Sequence, residues 1–177
     1  MDHHDKHSGA SPRHHQVLSS LSRLPRKIVA LHNTNYTAQF VLHEIALRDC
    51  FNLGKAAYFV DNPDFDCLRG VAGYDSQDHN GHTSWALHDF DDHLGSCRFN
   101  KKVRCIDQTS YKRAQKDEAA LISVLARELS MHNPSCYVWD MKCDNQGVLV
   151  YEIIGNDAEL QEHLQNGLHF LSLCPIL

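Results

Sequence analysis

The 177-residue chain predicts a single compact α+β domain, with a mixed or antiparallel sheet, a C-terminal β-hairpin and packed helices. Three observations carry that expectation. Helical and strand-like patterns follow one another in mixed order rather than in strict alternation. Near the C-terminus, "CYVWDMK" and "GVLVYEII" flank the turn residues "CDNQ" as two arms of an antiparallel hairpin. The composition, 42% hydrophobic and 22% charged, is that of a globular protein, and a chain of this length buries roughly 70% of its unfolded surface in one core.

Residues 1–15 hold five of the fourteen histidines and no large apolar side chain beyond Met1, so they are expected to form a disordered tail, with the domain spanning 16–177. His3, His4, His7, His14 and His15 could take a divalent metal only loosely, because a flexible segment must be ordered before it forms a cage. "QVLSSLSRLP" is helical in pattern and is expected to stop at Pro25. "NTNYTAQFVLHEIALRDCFNLG" follows as a longer helix ended by Gly54, with Phe40, His43, Leu47, Cys50 and Phe51 on one face.

"KAAYFV" reads as a buried strand cut by Asp61, Asn62 and Pro63, and "LRGVAGY" and "KVRCID" as two further strands. "KDEAALISVLARELSMHNP" is a helix with acidic residues at its start and a stop at Asn133 and Pro134. The last helix opens at "NDAE", where Asn156 and Glu159 form an Asn version of the capping box, and carries Leu160, Leu164, Leu168 and Leu171 as its apolar stripe. Leu125, Leu129, Leu164 and Leu168 are expected to share one core.

Composition also restricts compartment and partners. Seven cysteines without a Cys-x-x-Cys pair suit reduced thiols better than a disulfide framework, and no apolar run reaches the roughly 18 residues of a spanning helix. The expectation is a cytoplasmic protein, not embedded in a membrane, with self-association left open. A net charge of -5 argues against binding nucleic acid over the whole surface.

Residues 84–97, "SWALHDFDDHLGSC", place two histidines and three aspartates within six positions. Strand alternation would leave neither face apolar. At about 100° per residue, Leu87, Phe90 and Leu94 fall together and His88, Asp89, Asp92 and His93 oppose them, which predicts a short amphipathic helix. His88 with Asp92, and Asp89 with His93, are i, i+4 pairs that could ligate Zn, Mn or Fe if other segments complete the shell, and His79 and His82 are close enough in sequence to contribute. The competing reading is a solvated polar face. A calcium loop is excluded, because Gly95 falls one position late and no glutamate closes the series.

Charge is segregated along the chain. From Asp61 to Asp92 there are eight aspartates and one basic residue, Arg69; from Arg98 to Lys116 there are seven basic residues and one aspartate, Asp107. These blocks either neutralise each other or separate, and in the second case Arg98, Lys101, Lys102 and Arg104 would bind a small anionic ligand such as a phosphate or carboxylate. Phe99 and Tyr111 among these cations resemble the makings of a single-strand binder, yet the neighbouring acidic block would repel a phosphate backbone, so nucleic acid ranks below a small anion. A non-catalytic protein-interaction module is the main alternative.

A cysteine-dependent hydrolase or transferase built on Cys67 is a further one, with Asp61, Asp64 and Asp66 opposing thiolate formation. Cys50, Cys105, Cys136 and Cys174 are read as small core residues, and His43 and His163 as core histidines. No phosphate loop, nucleophile elbow or dinucleotide fingerprint is present.

Overall fold

The computed structural model describes residues 11–31, 34–79, 90, 96–115, 117–155 and 161–174. In chain order these form helices α1 (Pro12–Ala30) and α2 (Thr37–Ala46), strands β1 (Leu53–Asn62) and β2 (Cys67–Asp75), and a 3-10 turn at Ser76–His79. Helix α3 (Arg98–Arg104), the short strand β3 (Asp107–Gln108) and helix α4 (Glu118–Leu129) follow, then strands β4 (Ser135–Asp140) and β5 (Gln146–Ile153), helix α5 (Gln161–Leu168) and a 3-10 segment at His169–Leu173. All strands pair antiparallel in the order β3-β2-β1-β5-β4, so the fold is α+β.

β1 and β5 lie inside the sheet and are apolar on both faces, which is why "KAAYFV" and "GVLV" read as unbroken runs instead of alternating ones. Ala56, Tyr58, Val60, Leu149 and Tyr151 join a core with α1, α2 and α5. Ala57, Phe59, Val148 and Val150 join a second core with α3 and α4 on the other side. The expected single leucine core is therefore two: Leu164 and Leu168 pack in the first, Leu125 and Leu129 in the second, with the sheet between them.

α1 departs from the sequence reading at both ends. It begins at Pro12, with Ser11 capping the Arg13 amide at 3.2 Å, so residues 12–15, assigned to the tail, are its first turn. Arg13 reaches the Cys50 carbonyl at 2.7 Å, and His14 meets the His163 ring edge-on at 4.9 Å. Nor does Pro25 end the helix. Val17, Leu21, Leu24, Ile28 and Leu31 keep an uninterrupted helical spacing across it and are all buried, which offsets the roughly 3 kcal/mol an internal proline costs.

α2 stops at Ala46, ahead of Gly54, which belongs to β1. The turn between them closes through the Phe51 amide on the Ile45 carbonyl and a left-handed Asn52 at φ 52°.

The expected strand "KVRCID" is instead the end of α3 followed by the two-residue β3. Phe99, Asn100 and Val103 recur at helical spacing and press onto β2, where Gly70 and Gly73 leave room for a helix backbone. Asn100 accepts the Gly73 amide at 2.9 Å, and Gly70 donates to the Ile106 carbonyl at 2.9 Å. Across β4 and β5, Trp139 lies directly over Gly147, stacks on Tyr58 with ring centres 5.6 Å apart and donates its indole N–H to Ser172.

Candidate functional site

The seating of α3 decides what its other side presents. With Phe99, Asn100 and Val103 turned to β2, the remaining positions, Arg98, Lys101, Lys102 and Arg104, are all exposed. Among the described residues none of the four forms an ion pair or a side-chain hydrogen bond. Lys101, Lys102 and Arg104 lie in the last turn, where they also complement the negative end of the helix dipole. Asp78 supplies the opposite end, accepting the Phe99 amide at 3.0 Å. Asp78 of the acidic block thus caps α3, none of the block's described aspartates pairs with the α3 cations, and the four expected anion-binding residues come together on one convex surface.

Two described ion pairs involve residues of these blocks. Arg69 meets Asp107 at 3.6 Å, both more than half exposed, and Lys112 meets Asp144 at 2.6 Å outside the acidic block. Exposed pairs of this kind are worth under about 1 kcal/mol.

Asp61, the first residue of the acidic block, has a different role. It is fully buried at the end of β1 and accepts from the Ser110 hydroxyl at 2.9 Å, the Tyr111 amide at 3.2 Å and the Lys112 amide at 3.3 Å. Burial raises its carboxyl above the ordinary range, and the three donors and the Lys112 charge only partly offset that rise. Tyr111 extends the network through its hydroxyl to Gln146, whose amide reaches Asp140 at 3.0 Å. The arrangement ties the turn at 111–115 to the sheet. With Ser110 itself fully buried, it offers no approach to a substrate.

His82, His88, Asp89, Asp92 and His93 lie outside the described residues. Phe90, between them, is described: it is helical, fully buried, and packs edge-on against Phe40 at 5.0 Å and His43 at 5.4 Å. That is the anchoring role its apolar spacing assigned to it. His43, expected in the core, is buried and also meets the Tyr74 ring at 5.6 Å. Among the described residues no three His, Cys, Asp or Glu side chains gather as a metal cage.

Cys67 is half-buried at the first position of β2, opposite Asn62, and no hydrogen bond from a described residue reaches its sulfur. Cys50, Cys136 and Cys174 are buried or half-buried thiols, each pushed up to about 12 chiefly by burial, and Cys97 is pushed up to about 11 by burial and the nearby Asp78. Thiols raised in this way are poor nucleophiles at ordinary pH. Cys105, read from the sequence as a core residue, is exposed, because α3 ends there and turns its apolar side to β2 through Val103 and not through the cysteine.

No described helix is long and apolar enough to cross a membrane. No protein-family model, characterised protein or solved structure matches the chain.

Proposed function

We propose that this chain is a binding domain whose working surface is the exposed side of α3, where Arg98, Lys101, Lys102 and Arg104 take an anionic ligand. One observation carries the reading: four cations share one exposed surface of a rigidly seated helix, without a carboxylate partner among the described residues. Like charges held together in this way repel one another, and a multivalent anion relieves that repulsion while gaining charge-assisted hydrogen bonds. A convex surface suits a ligand carrying several charges better than an enclosed small molecule.

The test is a titration with inorganic tripolyphosphate at two salt concentrations. Replacing Lys101→Glu and Lys102→Glu together should weaken binding by roughly tenfold or more and flatten the salt dependence, since two exposed contacts at up to about 1 kcal/mol each, with the charge reversed, amount to that factor. Equal binding by the doubly substituted protein refutes the assignment. A short single-stranded oligonucleotide that binds more tightly than tripolyphosphate at equal charge would move the ligand to nucleic acid.

A second reading is a Zn, Mn or Fe site formed by His88, Asp89, Asp92 and His93 with His82. It is supported by the burial of Phe90, the apolar position of the same sequence pattern. In protein carrying His3→Ala, His4→Ala and His7→Ala, stoichiometric metal in equilibrium dialysis that is lost with His88→Ala or Asp92→Ala, and that weakens as pH falls through about 6.5, supports it. Substoichiometric metal, or occupancy indifferent to those substitutions, removes it.

A further inference from the structure

Between α1 and the C-terminal end of α2 lies a cleft of about 120 Å³, lined by Ser20, Arg23, Lys27, Glu44, Leu47, Asp49 and Cys50. Its two walls carry opposite charge. Ser20, Arg23 and Lys27 recur every three or four residues along α1 and form the cationic wall. Glu44 and Asp49, with the negative end of the α2 dipole, form the anionic one.

The walls neutralise each other only in part. Lys27 pairs with Glu44 across the floor of the cleft. Asp49 holds the Gln16 amide at 3.1 Å, and among the described residues Arg23 has no carboxylate partner. A guanidinium and a carboxylate thus face one space without pairing with each other. Leu47 and Cys50, both buried, supply an apolar patch between them.

We infer that this cleft binds a small zwitterion, a free amino acid with no more than a short side chain. Its carboxylate meets Arg23 and its ammonium meets Asp49 at the end of α2. Size and charge select the class together. Engineered apolar cavities near 150 Å³ hold benzene, so about 120 Å³ admits on the order of five or six non-hydrogen atoms. A simple anion would be repelled by the α2 wall and a simple cation by the α1 wall, whereas a zwitterion satisfies both. The surface used by α3 plays no part in this site.

The experiment is an amide-resolved NMR titration of the full chain with glycine, alongside glycinamide, which lacks the carboxylate, and acetate, which lacks the ammonium. Glycine should give saturable shifts, with a Kd of about a millimolar, confined to Ser20–Lys27 and Glu44–Cys50. Both controls should bind more weakly by roughly tenfold or more, the loss expected for one charge-assisted contact. Arg23→Gln should erase the difference between glycine and glycinamide, and Asp49→Asn the difference between glycine and acetate. Both substituted side chains are exposed, so the fold is retained. Shifts that do not saturate, that spread over the surface, or that glycinamide and acetate reproduce at equal concentration overturn the inference on the unsubstituted protein alone.

Discussion

Replacing Gly70 by alanine tests the contact on which the basic surface depends. A Cβ at this position would stand 1.9 Å from the Val103 carbonyl oxygen and 2.7 Å from its carbon. Ordinary carbon to oxygen approach is about 3.3 Å, so α3 must retreat by about 1.4 Å, and the obstacle is helix backbone rather than a side chain able to swing aside. A gap of that order forfeits roughly half or more of the dispersion energy of the contacting atoms, here those of the buried Phe99, Val103 and Ile106.

Overpacking of this kind costs about 1–3 kcal/mol, and a backbone obstacle places Gly70→Ala at the upper end. The reduced freedom of the unfolded chain returns about 0.4–1 kcal/mol, leaving a net loss of about 2 kcal/mol. At this chain length that is roughly 4–8 °C in Tm. Gly54→Ala is the control: its Cβ would meet the Ile154 Cγ1 at 3.2 Å, part of a half-exposed side chain that can move, so its stability should stay unchanged or rise by up to about 1 kcal/mol. Urea denaturation followed by circular dichroism measures both, and tripolyphosphate affinity should fall only in Gly70→Ala. If the two variants prove equally stable, α3 is not seated on β2 as argued.

Two further outcomes concern the cores and the buried carboxylate. Leu125→Ala and Leu164→Ala should each cost about 2–5 kcal/mol and, lying on opposite sides of the sheet, should add within about 0.5 kcal/mol; coupling well above that in a double-mutant cycle would mean one shared core. Because burial raises the Asp61 carboxyl, this group contributes stability that is fully present below its unfolded value near 3.9 and is lost as pH rises through the raised folded value. Asp61→Asn cannot titrate and leaves one of the donors from Ser110, Tyr111 or Lys112 poorly satisfied, so the stability difference from the unsubstituted protein should be largest at low pH and shrink towards neutrality. Urea denaturation from pH 4 to 7 reads it, and a difference that grows with pH would reverse the assigned sign.

What the sequence made legible follows from the range of the interactions involved. β1 and β5 declare themselves through unbroken apolar runs, and α4 and the stretch of α1 from Gln16 to Pro25 through helical periodicity, all properties of neighbouring residues. The four cations of α3 were legible as a group because charge clustered in sequence stays clustered on a short exposed helix. The helical state of that segment was not, since it depends on Gly70 and Gly73 in another strand. Pro25 misled for a related reason: a local breaker was outweighed by five side chains buried against other elements. Asp61 looked like one more surface aspartate because its donors lie 49 to 51 residues further along the chain. The charged walls of the α1–α2 cleft come from separate helices and carry no sequence signature at all.

The position of β1 bears on how the chain is made. Tyr58 pairs with Ala72 on one side and Leu149 on the other, so one neighbour is synthesised almost at once and the other only near the end of translation. Throughout that interval β1 is paired on one side only and its other edge is open and apolar, the arrangement most apt to recruit strands from neighbouring chains. Closure of both cores must await the strand that forms from Gln146 to Ile153, which makes acquisition of the native state a late and slow event. A chain truncated before residue 146 would therefore be competent to aggregate, whereas in the full chain the central strand is sheltered on both edges.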